Sequence, residues 1–179
     1  MKSAQRKSIR LKEYDYSQSG AYFITICTQN RKWLFGNIVE AKDYSPVTKM
    51  ILNDPGGMVE KCWNEIPKHF PNVELDEFVI MPNHVHGIVV IVGVQNVEPR
   101  RNRYQHIIPR SIGSIVRGFK IGVTKRFREK SPEISEWQRN YYEHVIRDDD
   151  DLNRVREYIQ NNPRNWTTDD YFPAIGKEG

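Results

Sequence analysis

Val79-Ile80-Met81-Pro82-Asn83-His84-Val85-His86-Gly87-Ile88-Val89-Val90-Ile91 reads as the end of one strand, a Pro-Asn turn and a second strand that opens with two histidines. On an extended strand, residues i and i+2 share a face and lie roughly 6.6 Å apart. His84 and His86 therefore present two imidazoles side by side, while Val85 turns to the other face. The unbroken apolar run from Ile88 to Ile91 is that of a strand covered on both faces. Two adjacent imidazoles on a rigid strand make a platform for a divalent cation. A bare His-x-His is more often the mark of ordinary polar residues than of a metal site. Its position at the mouth of an apolar strand favours the metal, because a core accepts unpaired imidazoles poorly.

Outward from this stretch the chain alternates strands and helices. Gly20 to Thr28 is rich in aromatic and β-branched residues and predicts a strand. Gln29 to Ser45 predicts a loop or hairpin, with Trp33, Leu34 and Phe35 returning to the core. A helix is expected from about Asp54 to Ile66, with Asp54 as N-cap, Pro55 at the first helical position and Met58, Val59, Cys62, Trp63 and Ile66 at helical spacing. Val73 to Met81 is the strand before the histidines. Gly93 to Arg110 is polar, basic and unpatterned, which predicts a loop or insertion. Ile112, Ile115, Val116, Phe119, Val123 and Phe127 trace the stripe of a second helix. Trp137 to Ile146 predicts a fourth strand. Asp148 to Asp151 then supplies negative charge at the start of a third helix, whose stripe is Leu152, Val155 and Ile159. Beyond Trp166 the tail reads as loosely structured. The order β-α-β-β-α-β-α predicts an α+β fold, a ferredoxin-like antiparallel sheet with helices packed mainly on one face. The expected organisation is a basic N-terminal arm (1–13), a domain (14–166) and a tail (167–179).

The 179 residues suffice for one well-buried core. The net charge of +4 hides an asymmetry: residues 98 to 130 hold ten Lys/Arg against two acids, and the first twelve residues hold five and none. Such blocks favour a polyanion, most simply nucleic acid, although a solvated basic face has the same composition. Cys27 and Cys62 form no CxxC or CxxH spacing, and Cys27 inside an apolar strand reads as a buried thiol. No signal-peptide pattern or membrane-length apolar run occurs, so a cytoplasmic protein is expected.

The third helix carries a second suggestive pair. Tyr158 and Asn162 stand four apart, on one face a turn from each other and offset from the buried stripe. A tyrosine hydroxyl is a weak nucleophile unless it or its target is activated, and a metal that polarises a phosphate oxygen activates the target. Asn162 offers a neutral oxygen ligand, and Pro163 after it is expected to force its backbone out of the helix. A packing tyrosine has the same spacing, the chain has nine tyrosines, and Tyr141 and Tyr142 compete for the role from opposite faces of their strand.

Three blocks now carry a resemblance. Phe78-Val79-Ile80-Met81-Pro82-Asn83-His84-Val85-His86-Gly87 resembles the His-hydrophobic-His motif of the single-tyrosine HUH transposases. Trp137-Gln138-Arg139-Asn140-Tyr141-Tyr142-Glu143-His144-Val145-Ile146-Arg147-Asp148 and Tyr158-Ile159-Gln160-Asn161-Asn162-Pro163 are similar to the C-terminal half of that family, most closely its REP-associated branch. The likeness spans about Arg10 to Trp166. It implies the HUH endonuclease fold and a metal-dependent single-strand DNA endonuclease and strand transferase acting at hairpin-forming repeats. A tyrosine attacks the scissile phosphate, leaving a 5′-phosphotyrosine link and a free 3′-OH. Position by position, Tyr158 matches the nucleophile and His84, His86 and Asn162 the ligands of Mg²⁺ or Mn²⁺. For the DNA, phosphate contacts are expected from Arg6, Lys7 and Arg10 of the arm, from Arg100, Arg101, Arg103 and Arg110 of the loop, and from Arg117, Lys120 and Arg139. Aromatic side chains among these basic blocks suit a stacked single strand, with Phe119 and Phe127 reserved for the core. The family contains both monomers and homodimers. A domesticated binder of palindromic single-stranded DNA that does not cut it is the alternative.

Overall fold

A computed structural model describes residues 17–40, 48–93, 110–130 and 137–172; the arm, most of the 93–110 stretch and the last residues lie outside them. The fold is α+β. Its strands are β1 (Gly20–Cys27), β2 (Gly36–Glu40), β3 (Thr48–Leu52), β4 (Val73–Met81), β5 (His84–Ile91) and β6 (Tyr142–Ile146). Its helices are α1 (Asp54–Asn64), the single turn α2 (Ile66–His69), α3 (Ile112–Lys130) and α4 (Asp149–Asn161). Four strands form one sheet in the order β4-β5-β1-β6, and β2 and β3 form a separate hairpin. Every neighbour in the large sheet is antiparallel.

The two faces of β1 are sorted by alternation. Tyr22, Ile24 and Ile26 join Val85, Val89, Trp63, Ile115 and Phe119 in the larger core under α1 and α3. Phe23 joins Ile88, Ile146, Val155 and Ile159 in a smaller core under α4. Two long helices thus cover one face and α4 alone covers the other, where His84 and His86 point.

The helix α4 is fastened across the sheet at two edges. A bulge between Leu75 and Phe78 interrupts the β4–β5 ladder. Asp76 in that bulge takes two bonds from the Arg156 guanidinium, at 2.8 and 2.6 Å. At the opposite edge His144 of β6 meets Asp151 at 2.8 Å. Asp148 is the N-cap, its carboxylate accepting from the Asp151 amide at 2.8 Å.

Several expectations need correction. The N-cap of α1 is Asn53, whose side chain accepts from the Gly56 amide, so Asp54 falls in the first turn. Asparagine caps as well as aspartate, and the sequence offers both. Trp33 does not return to the core: it is 47% exposed and packs, tilted, against Trp166 and Phe172. The fourth strand of the sheet begins at Tyr142, and Trp137 makes only an isolated bridge to Thr28. Asn162 keeps helical backbone angles despite Pro163. It is the C-cap of α4, and the chain tightens there through i→i+3 bonds, which spares Pro163 the clash of a helix interior. Residues 166–172 are not loose; they form a 3-10 turn and fold back on β5.

Gly87 makes the close approach of α1 possible. A Cβ there would stand 2.2 Å from Cζ2 of Trp63 and 3.1 Å from Cβ of Phe78. Trp63 is fully buried and has no room to yield. Gly87→Ala is therefore expected to lower stability by about 1–3 kcal/mol in urea unfolding, whereas Gly57→Ala, whose Cβ meets nothing within 4 Å, is expected to be neutral or stabilising by up to about 1 kcal/mol.

Candidate active site

The β4–β5 turn is only Pro82 and Asn83, so the second strand starts at His84 with its register already fixed. His84 pairs with Cys27, and His86 pairs with Thr25. Both imidazoles are buried, with ring centroids 4.3 Å apart. Each is held from behind at Nδ1. The Asn83 side chain donates to the carbonyls of Arg31 (3.2 Å) and Tyr171 (2.9 Å), which leaves its Oδ1 to accept from His84 Nδ1 at 2.8 Å. That assigns the proton of His84 to Nδ1 and leaves Nε2 a bare lone pair. His86 Nδ1 meets Thr25 Oγ1 at 2.8 Å. Hydrogen bonds behind a ligand in this way orient imidazoles in metal sites.

The forward side is where satisfaction fails. Among the described residues, Nε2 of His84 and Oδ1 of Asn162 are both buried without a hydrogen bond of good geometry, although the Asn162 side chain lies near enough to His84 to favour its charged form slightly. Buried polar atoms of native proteins are rarely left so, and an ion is one of the standard reasons. Asp169 completes the cluster: a ligand atom from each of His84, His86 and Asp169 lies within 4.8 Å of the others. Asp169 is in turn tied to the pair predicted from the sequence, accepting from Asn162 Nδ2 at 2.8 Å. The set offers two neutral imidazoles, a carboxylate and a carboxamide oxygen, a mixture that suits a divalent first-row cation.

Tyr158 stands over this group. Its hydroxyl lies 3.3 Å from His86 Nε2, and its ring meets Phe23 edge-on at 5.9 Å and His86 at 5.2 Å. It is 44% exposed, so it borders a cleft of about 510 Å³ rather than the core. Tyr158, His84, His86 and Asn162 therefore meet within a single chain.

The electrostatics are those of a dry site. Burial pulls His84 down to about 3, with the Arg31 charge adding to the effect. Burial, then the neighbouring His84, holds His86 well below the usual histidine range. Both are neutral near pH 7, the form that ligates. Burial also pushes the Tyr158 phenol up, and Asp169, Tyr171 and Asp170 push it further, with the Asn162 side chain working the other way.

Residues after α4 close the site from outside. The Tyr171 ring lies 4.7 Å from His84 and 5.6 Å from His86, and the Trp166 ring 5.9 Å from His84. Arg31 sits over Tyr171 at 5.2 Å and donates to the Asp170 carbonyl at 2.6 Å. Burial pushes Tyr171 up to about 12.

Sequence reasoning missed Asp169, Tyr171, Thr25 and Asn83. Thr25 is implied only once the β1–β5 register is known. Asp169 arrives through a 3-10 turn that leaves no periodic signal.

Of the basic residues expected to meet DNA, those among the described residues fall elsewhere. Arg117, Lys120 and Arg139 line a groove of about 1210 Å³ on the α3 face, with Lys125, Arg128 and Tyr141. That is the other side of the sheet from the imidazoles. Lys120 is turned inward, donating to the carbonyls of Gln138 (2.7 Å) and Asn140 (3.2 Å), so it fastens the turn before β6. Arg110 is exposed just ahead of α3. Arg6, Lys7, Arg10, Arg100, Arg101 and Arg103 lie outside the described residues.

No family model matches the chain. It is 47% identical over 175 residues to an uncharacterized protein of Haemophilus influenzae, covering 93% of each chain. It is 28% identical over 150 residues to a protein of the same organism named as a REP-associated tyrosine transposase, covering 83% of this chain and 73% of that one. Among solved structures, a REP-associated tyrosine transposase bound to a REP hairpin shares the fold, with a TM-score of 0.56 and 20% identity over 93% of this chain and 74% of the other. The α+β fold, with its histidine strand and tyrosine helix, is thus the fold of that solved transposase, and in sequence the chain is similar to a REP-associated tyrosine transposase over most of its length.

Proposed function

We propose that this protein nicks and rejoins single-stranded DNA at hairpin-forming repeats, with Tyr158 as the nucleophile and Mg²⁺ or Mn²⁺ held by His84, His86, Asp169 and Asn162. The observation that supports it most is the pair of orphaned acceptors, His84 Nε2 and Asn162 Oδ1, beside the Tyr158 hydroxyl. A pure binder of DNA has no use for a dry cluster of unsatisfied ligand atoms. Two nitrogen donors fit Mn²⁺ better than Mg²⁺, which prefers an all-oxygen shell. When bound, the cation supplies Lewis-acid polarisation of a phosphate oxygen and stabilises charge in the transition state.

The chain's own residues do the rest. Tyr158 Oη forms the new bond to phosphorus while the bond to the 3′ oxygen breaks. The tyrosine proton passes to solvent in the cleft, and the leaving 3′ oxygen takes one up. A second 3′-OH reverses the exchange and restores the free tyrosine. Phe23 braces the Tyr158 ring edge-on, and the Asp76–Arg156 pair one face of α4 away keeps the helix from sliding. Asn83 and Thr25 hold the imidazoles in orientation. Because Tyr158 reaches His86 of its own chain, the reaction needs no second protomer. The DNA's phosphates are assigned to the arm, the 93–110 stretch and the α3 groove, whose Arg117, Lys125, Arg128 and Arg139 outnumber its acid, Glu129.

The deciding experiment incubates the protein with a pool of labelled hairpin oligonucleotides of varied flanks and Mn²⁺ or EDTA, followed by a denaturing gel. A Mn²⁺-dependent band that survives denaturation and disappears in Tyr158→Phe is expected. Nicking that persists in Tyr158→Phe moves the nucleophile to water or another tyrosine, and tight binding without nicking or adduct points to the non-cutting binder. The ligand set is checked separately by calorimetric titration with Mn²⁺. Asp169→Asn is expected to weaken the cation by roughly tenfold or more; an unchanged Kd removes Asp169 from the set.

A further inference from the structure

The cleft that Tyr158 borders does not end at His86. It runs on toward β6, where Tyr142, His144, Asp151 and Asp170 line it, and the nicking chemistry uses none of these. Tyr142 and His86 both pair with Thr25 across the sheet. Tyr142 therefore lies two strand spacings, ~10 Å, from the imidazole. Phe23 spans the gap, touching Tyr158 at 5.9 Å and Tyr142 at 6.2 Å, edge-on to each. Tyr142 is 38% exposed, a large ring braced on one side and open on an edge strand.

His144 stands beside it with a fixed tautomer. Although burial works against it, hydrogen bonds from His144, Arg147 and Arg154 hold the Asp151 carboxyl below the usual range. As a carboxylate it only accepts, so the 2.8 Å contact is His144 Nε2–H donating. In the neutral ring Nδ1 is then an acceptor, on a side chain that is 38% exposed.

From this arrangement we infer that the Tyr142–His144 end of the cleft is a base subsite for a nucleotide flanking the cut: the base stacks on Tyr142 and offers an amino or imino hydrogen to His144 Nδ1. The inference rests on the nicking reading above and says where the neighbouring base goes. Charge decides between base and phosphate. This end carries Asp151 and Asp170, and its cation Arg154 is already engaged by Asp151 at 2.5 Å. A phosphate there meets net negative charge; an uncharged base with hydrogen-bond donors does not.

The test is an abasic scan, one position at a time, on the hairpin of the pool bound most tightly, read by fluorescence anisotropy in EDTA so that binding is measured apart from nicking. In the wild-type chain one flanking position is expected to cost about tenfold in affinity when its base is removed. In Tyr142→Ala that position costs less than about twofold, and in Tyr142→Phe, which keeps the ring, the tenfold loss returns. His144→Gln is expected to narrow the affinity differences among the four bases at that position and leave the other positions as they were. A penalty at that position undiminished in Tyr142→Ala, or a loss in Tyr142→Ala spread evenly over all positions, overturns the subsite. Failure to nick with the scan intact strikes the reaction assigned to Tyr158 and leaves the subsite standing.

Discussion

Everything in this molecule hangs on the register between β1 and β5. With Cys27 opposite His84 and Thr25 opposite His86, the histidines turn toward α4 while Val85 and Gly87 turn toward α1. A slip of one residue exchanges the faces. The imidazoles would then press on Trp63, which leaves no space even for the methyl group of an alanine at Gly87. The two-residue turn at Pro82-Asn83 and the tight Gly87–Trp63 contact thus specify the same register from opposite ends of the strand. The site inherits its geometry from packing on the face that carries no chemistry.

Placing α4 is a separate problem, because its buried stripe is short. Val155 and Ile159 cover only a small core with Phe23, Ile88 and Ile146. Apolar contact alone leaves such a helix free to slide along the sheet. The pairs Asp76–Arg156 and Asp151–His144 remove that freedom by catching it at opposite edges. Both are partly exposed, with side-chain exposures of 38% and 21% for the first. Each then contributes little net stability. Their value is positional: they set where Tyr158 stands, 3.3 Å from His86 Nε2.

How much of this was legible follows the same division. The histidine strand, the helices of the larger core and the convergence of Tyr158 with Asn162 could be read because each rests on a short-range period, two for a strand and near four for a helix. The resemblance supplied the order of the blocks. What stayed hidden has no period. Asp169 reaches the imidazoles through a 3-10 turn after a proline, and Thr25 qualifies only through strand pairing sixty-one positions away in sequence. Trp33 reads as core by its hydrophobicity, but its partners Trp166 and Phe172 belong to a segment with no recognisable pattern. Lys120 reads as a free cation until the carbonyls of the turn before β6 are placed against it.

The residues after α4 have a double role under the reaction assigned here. Asp169 brings the carboxylate that the two imidazoles lack, while Tyr171, two residues on, lies over both rings. Tyr171 also lines the cleft beside Tyr158 and His86. The segment is not held by a large core. It is held by Arg31 on the Tyr171 ring and the Asp170 carbonyl, by Asn83 on the Tyr171 carbonyl, and by the Trp33–Trp166–Phe172 cluster, part of which is open to solvent. Polar contacts of this kind at a surface exchange readily with water. The Tyr171 amide donates to the Asp169 carboxylate at 2.6 Å, so the covering ring and the carboxylate are held as one unit. Arg31, over the Tyr171 ring and bonded to the Asp170 carbonyl, fastens that unit from outside, and the guanidinium charge lies close enough to depress the His84 imidazole.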